Sequence, residues 1–471
     1  MAARSEFVTF SPWAWMLCAA LALLAIVINP VGYLGGHGDD WHYLKAAHCW
    51  AMSGKVCLPT NHWETRWPAF ALIAMATSWF GESRVVVGFA ALPAWIGAII
   101  LTGWLGRLWV DRLTGLVAAA VLTATPVFTQ ASLQPGVDTV ELVMQLAALL
   151  AATIAYKGQR PSSAFIAGML AALAVQARDT SFLFCVASAI AWLALDWERR
   201  KVLLWAIPGV GIPMLVESAA YLASTGDLLF RYHLALDHGT IPSEELPPQF
   251  DTSQSPLFNR AYVANWRREM GITWWWPIDP WLNLLASPRI GFTFIGATLL
   301  GVGCWTSLEK PVRRLFAFAI SLGLFVGVSL VYGLGVDPKP RMFMLTAAVA
   351  CLFIGATISA SVRLRQEAVP LVLLGLILAL GLFTLTRLNS TLEFERLAKR
   401  WMTEHPGNLS LDPAVLSTIA LAPGVRTLPS AVEGRDYRIN GSNEHCEAHA
   451  GRVADRSEIV GGGRLCLMDV R

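Results

Sequence analysis

The sequence is poor in charge for its length. Charged side chains make up 15% of the 471 residues and hydrophobic ones 55%, with a mean hydropathy of +0.51, whereas about a quarter of a soluble domain is charged. This composition excludes an ordinary soluble domain and predicts a polytopic membrane protein. The net charge of +3 is small and spread over loops, so nothing favours a nucleic-acid partner.

The sequence also lacks an internal repeat, and its apolar runs carry almost no charge. Both absences weigh against a secondary transporter, because transporters often have repeated halves and ionisable groups near the bilayer midplane. The first apolar run, residues 13–30, has no small-residue cleavage site after it. We therefore expect a retained helix there, in place of a removed signal peptide.

About twenty mostly apolar residues span a bilayer, and the sequence contains roughly eleven runs that meet this requirement. It therefore predicts an all-α bundle of about eleven transmembrane helices. The runs lie at residues 13–32, 84–105, 113–129, 139–156, 162–177, 180–196, 202–223, 290–307, 315–335, 342–360 and 368–386.

Lys and Arg are concentrated in alternate short loops, near residues 107–112, 157–160, 199–201, 310–314 and 363–365. Since cytoplasmic loops carry the excess of basic residues, these loops are predicted to be cytoplasmic. The same alternation predicts a cytoplasmic N-terminus and an extracytoplasmic C-terminus. We expect the bacterial plasma (inner) membrane as the location.

Two domains are predicted. Residues 1–387 form the transmembrane domain, with a large first outer loop. Residues 388–471 have no membrane-length run and mix Gly, Pro and charge with short apolar stretches. We interpret them as a small extracytoplasmic α+β domain.

Cysteine positions agree with this topology. Cys49 and Cys57 share the first outer loop, and Cys446 and Cys466 share the tail. Because an oxidising compartment permits disulfides, each pair is a candidate for a short-loop bridge.

The first outer loop, residues 33–83, holds the most unusual polar group of the chain, the adjacent carboxylates Asp39 and Asp40. They follow a membrane-length helix directly, where ionised groups must lie at the water-facing end. One interpretation is a helix cap, with the helix beginning at Trp41. The other is a catalytic base. Asp39 and His42, about one helical turn apart, are also candidate ligands of a divalent metal.

Five stretches resemble the GT-C glycosyltransferases, in the branch of the protein O-mannosyltransferases, the aminoarabinose transferases of lipid A and the core-sugar transferases of rhizobia. Each stretch is short, but their order and spacing together are specific, and the resemblance covers roughly residues 13–350. The matching stretches are residues 38–43, residues 64–68 leading to 79–81, residues 125–128 with Asp138, residues 176–180 and residues 339–343.

The resemblance implies a GT-C-like fold and an inverting, hexosyltransferase-type enzyme. It further implies that Asp39 or Asp40 is the catalytic base, with Asp39 favoured, and that Arg66 contacts the donor phosphate. The family often has Lys at that position and Pro-Pro after it, whereas this chain has Arg-Trp-Pro. This departure leaves the local backbone open.

Chemistry leads to a similar donor. Nucleotide sugars are confined to the cytoplasm, so an enzyme with outward-facing polar residues needs its sugar carried across as a polyprenyl phosphate. The acceptor is then an extracytoplasmic lipid, glycan or protein. A non-catalytic envelope-assembly protein and a transporter are the alternatives.

Further residues are predicted to line the substrate cavity or to bind phosphate. Lys339 and Arg341 are second phosphate candidates, since Arg offers bidentate donation, although both suit the membrane interface as well. Asp138, with Glu141, equally suits a helix start. Arg178 and Asp179 either pair with each other or face the cavity. The predicted cavity residues are His42, His62, Glu64, Asp138, Arg178 and Asp179.

Overall fold

A computed structural model gives the structure of the protein. Most of predicted span 13–32 and of the outer segment 224–288 lies outside the described residues. The structure describes residues 19–20, 23, 39–81, 84–131, 136–193, 195, 197–237, 278–333, 339–365, 368–387, 409–411, 437–440, 453–459 and 463–469.

The first half of the described chain is helical. A 3-10 turn, His62–Thr65, separates the first two helices. The helices are α1 Asp39–Ser53, α2 Trp67–Phe80, α3 Arg84–Phe89, α4 Leu92–Trp109, α5 Arg112–Ala124, α6 Pro126–Ala131, α7 Val137–Gly158, α8 Pro161–Ala177 and α9 Ser181–Leu193.

The second half continues in the same way up to residue 387. A 3-10 segment Lys201–Trp205 precedes α11, a π-helical turn Ser329–Gly333 ends α15, and a 3-10 turn Pro340–Phe343 precedes α16. The helices are α10 Trp197–Arg200, α11 Ala206–Thr225, α12 Phe230–Asp237, α13 Asp279–Ala286, α14 Gly291–Cys304, α15 Lys310–Val328, α16 Met344–Arg363 and α17 Ala368–Arg387.

Every predicted run beyond residue 83 coincides with an apolar helix. Among the described residues, six segments are long and apolar enough to cross a membrane. The mostly helical membrane fold is therefore confirmed, while the number of eleven spans stays a prediction. The six are Val86–Trp109, Val137–Gly158, Lys201–Thr225, Lys310–Tyr332, Pro340–Arg363 and Ala368–Leu385.

Helix α16 is the central element of the bundle. Every residue from Met344 to Ser361 is buried, and a helix that is apolar on all sides is expected in the interior. Its many Ala, Gly, Ser and Thr residues let α5, α14 and α15 pack against it, as small residues do in membrane bundles.

Small residues also bring α8 and α11 close together. A Cβ added to Gly209 would meet the backbone of Phe165, and one added to Gly168 would meet the backbone of Ala206. Close approach of this kind replaces the hydrophobic driving force that helices lack among lipid tails.

The predicted cytoplasmic loops meet at one end of the bundle. The Lys157 ammonium donates to the Leu108 carbonyl at 2.5 Å, and Arg363 lies 3.2 Å from Asp111 and 3.3 Å from Glu309. Four of the five predicted cytoplasmic loops therefore lie close together, while the side of the membrane that they face stays a prediction.

The described part of the tail consists of four strands: β1 Leu409–Leu411, β2 Tyr437–Asn440, β3 Val453–Ile459 and β4 Gly463–Asp469. They form one sheet in the order β1-β2-β4-β3. The β1–β2 pair is parallel and the other two pairs are antiparallel. The α+β domain at residues 388–471 and its boundary stay predictions.

We expect Gly209→Ala to lower the free energy of unfolding by about 1–3 kcal/mol, because an added methyl overpacks the α8–α11 contact. Gly211→Ala is the matched control, since a Cβ on Gly211 meets nothing within 4 Å. Thermal unfolding of the purified variants in detergent measures both. Equal melting temperatures for the two variants would show that the close packing contributes nothing.

Candidate functional site

The first outer loop is a compact hairpin of α1 and α2. Tyr43 and Ala47 of α1 pack against Phe70 and Ile73 of α2 in one buried cluster. Cys49 and Cys57 form a disulfide, with their Cα atoms 6.2 Å apart, so that prediction is confirmed. The other predicted pair, Cys446 and Cys466, lies outside the residues whose side chains are described.

Glu64 is the hydrogen-bonding centre of the hairpin. It is 5% exposed, and its Oε1 accepts from Lys45 at 2.9 Å and from Asn61 at 3.1 Å. Its Oε2 accepts from the Thr60 backbone N–H at 2.7 Å and from the Thr60 hydroxyl at 2.9 Å. These contacts occupy both oxygens, so Glu64 holds the loop together.

The same contacts set the charge of Glu64. Burial alone would raise its pKa, but the Thr60 backbone N–H and the Lys45 ammonium outweigh burial and lower the pKa below the ordinary value. Glu64 is therefore a carboxylate at neutral pH and lacks the proton of a general acid.

His42 lies beside this group. Its Nδ1 is 2.9 Å from Asn61 Nδ2, and its ring stacks on Trp63 with centroids 4.7 Å apart. The Asn61 contact occupies one of the two nitrogens that a metal would use.

Arg66 follows the 3-10 turn and is 9% exposed. Its Nη1 donates to the Tyr43 hydroxyl at 2.5 Å, and its Nη2 is 3.0 Å from His62 Nε2. Its Nε has no hydrogen-bond partner, and no carboxylate of the described residues forms an ion pair with it. A buried cation with neutral partners suits an anionic ligand.

Asp39 and Asp40 are the first two residues of α1. Helical spacing places position 39 on the same face as position 43, four residues later, and the Tyr43 hydroxyl touches Arg66. The start of α1 thus shares a helix face with the Arg66 contact.

A second polar cluster joins α7 to the start of α9. Arg178 donates to Asp138 at 2.5 Å and to Glu141 at 3.5 Å. Ser181 donates to Glu141 at 2.5 Å, and Gln145 donates to Ser181 at 2.9 Å. All five residues are at most 9% exposed.

Two neighbouring acidic side chains, Asp138 and Glu141, keep Arg178 charged. Burial opposes a charged guanidinium, but Asp138 and Glu141 outweigh burial and raise the pKa of Arg178.

Asp179 belongs to a third cluster. It accepts from Arg231 Nε at 3.0 Å, while Arg178 binds Asp138 and Glu141. Arg178 and Asp179 therefore do not pair with each other. Arg178 binds Asp138 and Glu141, and Asp179 binds Arg231.

A cleft between α7, α9, α15 and α16 brings together residues far apart in sequence. Its polar lining includes Asp138 and Glu141 on one side and Arg341 and Thr346 on the other. Lys339 is exposed at the start of the 3-10 turn that carries Arg341. Of the two later phosphate candidates, Arg341 is the one that lines the cleft.

Sequence reasoning missed several residues. Glu217 lies inside an apolar run and pairs with Arg231 at 3.1 Å, so the view that the runs are nearly free of charge was too simple. An acid within such a run signals a functional or paired site. Arg289 was also missed: partial burial and the neighbouring charge of Arg341 lower its pKa.

The side chain of Asp39 lies outside those that the structure describes, so the metal pair of Asp39 and His42 stays a prediction. Within the described ranges, no group of three or more His, Cys, Asp or Glu side chains could hold a metal ion. We therefore derive no step through a metal.

Fold and site together define a helical membrane protein with a buried cationic and acidic site. Residues 68–218 match the family model described as dolichyl-phosphate-mannose-protein mannosyltransferase. The oligosaccharyltransferase of Archaeoglobus fulgidus is similar in structure, with a TM-score of 0.52, 16% identity and 89% of this chain covered. The chain spans 59% of that protein's length. These matches confirm the GT-C resemblance as a shared fold.

Two further structures were found at lower similarity. ArnT from Cupriavidus metallidurans has a TM-score of 0.41 and 13% identity, with 97% of this chain and 98% of that chain covered. EmbB from Mycobacterium smegmatis has a TM-score of 0.40 and 15% identity, with coverages of 76% and 32%. A search of curated proteins finds no match.

We expect Glu64→Gln to lower the free energy of unfolding by about 1–3 kcal/mol, since it removes the charge that binds Lys45 and Thr60. Because the folded pKa is lowered, the wild-type advantage is present above the unfolded pKa of about 4.3 and is lost as pH falls through the folded value. Denaturant unfolding between pH 3 and pH 7 measures it. Glu198→Gln, at an exposed ion pair with Lys201, is the control. A Glu64→Gln deficit that does not shrink in acid would contradict the assignment.

Proposed function

We propose that the protein is a membrane glycosyltransferase that moves a sugar from a polyprenyl-phosphate-linked donor to an extracytoplasmic acceptor. The observation that carries the proposal is Arg66, a buried guanidinium with neutral partners in a GT-C-like fold. A lipid phosphate is the anion that a membrane-embedded cation of this kind suits. The family model matched by residues 68–218 is named for a dolichyl-phosphate sugar, which supports the same donor class.

The reaction is a direct displacement at the anomeric carbon. Asp39 or Asp40 takes the proton of the acceptor hydroxyl while the new oxygen–carbon bond forms and the bond to the phosphate oxygen breaks. The configuration of the sugar is inverted. The helix face shared with Tyr43 favours Asp39 as the base. We infer that the enzyme is of the hexosyltransferase type.

The leaving group is a polyprenyl phosphate, and cations stabilise its charge. Arg66 is the first candidate. Arg341, which lines the cleft and has Arg289 nearby, is a second candidate, and Lys339 is a more exposed third. Asp138 and Glu141 line the same cleft, and Arg178 pairs with both of them.

The lipid chain of the donor is proposed to lie in an apolar groove between α13, α14, α15 and α16. Trp281, Phe294, Thr298 and Phe316 are among its lining residues. Thr346 lines both this groove and the polar cleft. A phosphate in the cleft therefore has an adjacent apolar path for its chain.

The topology belongs to the same proposal. We infer a transmembrane glycosyltransferase domain at residues 1–387 and an extracytoplasmic α+β domain at residues 388–471. The basic loops favour the bacterial inner membrane with a cytoplasmic N-terminus. The acceptor is a lipid, glycan or protein on the outer side.

We expect at least one of the single variants Asp39→Asn and Asp40→Asn to lower sugar transfer by about two to four orders of magnitude, because a general base contributes that much. A deletion strain is complemented with each variant, and mass spectrometry of envelope glycans and lipids identifies the sugar lost on deletion and restored by the wild type. Glu198→Gln, at an exposed ion pair with Lys201, is expected to restore that sugar fully. Restoration by both aspartate variants would rule out the catalytic role.

For donor binding we expect Arg66→Ala to weaken the binding of undecaprenyl phosphate about tenfold or more, because a hydrogen-bonded charge contributes roughly 1.5–3 kcal/mol. Thr298→Trp should weaken it by filling the groove. Arg313→Ala and Ile295→Trp, both at exposed positions, are the matched controls. Native mass spectrometry of the purified variants measures binding. Unchanged binding in Arg66→Ala would place the phosphate elsewhere.

A further inference from the structure

Arg231 makes more polar contacts than any other side chain for which hydrogen bonds are given in the described part of the chain. It is 2% exposed, and α12 carries it into the junction of the outer loop and the bundle. Its Nε and Nη2 each donate to Asp179 at 3.0 Å, and its Nη1 donates to Glu217 at 3.1 Å. Its charge is therefore neutralised by two carboxylates.

The remaining donors of Arg231 reach backbone carbonyls. Nη2 donates to Val175 at 3.2 Å and to Gln176 at 2.9 Å, in the last turn of α8, where carbonyl groups lack helical partners. Nη1 donates to the Thr65 carbonyl at 3.0 Å. One side chain thus connects α8, α11 and the 3-10 turn of the first outer loop.

The Thr65 contact is important because of the residue that follows it. The Thr65 carbonyl belongs to the peptide group that leads into Arg66, so a hydrogen bond there restrains the backbone from which the Arg66 side chain projects. The Thr65 hydroxyl is also held, by the His62 carbonyl at 2.7 Å. Hydrogen bonds to the carbonyl and from the hydroxyl of Thr65 thus restrain the turn before Arg66.

We propose that Arg231 is a positioning residue that holds the 3-10 turn of the outer loop and thereby directs Arg66 toward the donor phosphate. All of its N–H groups are engaged by the protein, so Arg231 acts through Arg66 and does not bind the donor itself. The catalytic part of this inference rests on the proposed function, whereas the restraint of the turn does not.

Two measurements on Arg231→Lys test the inference, because lysine keeps the charge and loses the guanidinium geometry. Hydrogen exchange of the amides of residues 62–66 should be at least about tenfold faster than in the wild type, since local opening sets the exchange rate. Amides of α14 should be unchanged. Arg313→Lys, an exposed arginine, is the control and should alter neither region.

The second measurement is transfer by Arg231→Lys, Arg66→Ala and the double variant. We expect a loss of about tenfold to a hundredfold for Arg231→Lys, as misplacement of a catalytic group by about 1 Å can produce. The double variant should lose no more than Arg66→Ala alone. The inference would be overturned if the double variant lost the product of the two single-variant losses in transfer. Unchanged hydrogen exchange at residues 62–66 in Arg231→Lys would overturn it as well. If the wild type shows no transfer, the proposed function fails while the exchange measurement still decides the restraint.

Discussion

The need to neutralise buried guanidinium groups organises the end of the bundle that carries Arg66, Arg178 and Arg231. A charge removed from water is tolerated only when opposite charges and hydrogen-bond acceptors surround it. Arg178 meets the requirement with Asp138 and Glu141, and Arg231 meets it with Asp179, Glu217 and three carbonyls. Arg66 has Tyr43 and His62 in their place. Arg178 and Arg231 are neutralised by carboxylates and thus join the helices, whereas Arg66 is the arginine that we propose binds an anionic ligand.

Much of the fold follows from the sequence alone because a bilayer imposes a simple rule on composition. The position of each apolar run after residue 83 agrees with a helix of the structure. The burial of α16 is different. Its Ala, Gly, Ser and Thr content suits close packing, but single-helix hydropathy does not show that it lies at the centre, since outer helices such as α17 are at least as apolar.

The site residues could be predicted from the sequence where they lie close together in the chain. Arg66 stands out beside Trp67-Pro68, and the Asp39–Asp40 pair stands out after an apolar run. The partners of Arg178 and Asp179 were not accessible, because the sequence does not determine which helices are neighbours. Arg231 was overlooked for the same reason: its acceptors lie more than fifty residues away in Asp179, Gln176 and Thr65.

The Cys49–Cys57 disulfide has a consequence for biogenesis. The bridge closes the end of α1 just before the segment that carries Thr60 and Glu64, so the first outer loop reaches this bridged form only where thiols are oxidised. A chain retained in a reducing compartment would insert its helices and still present an unfinished loop. Under the proposed function, the loop would be complete only after export and oxidation, on the side of the membrane where we propose that the acceptor lies.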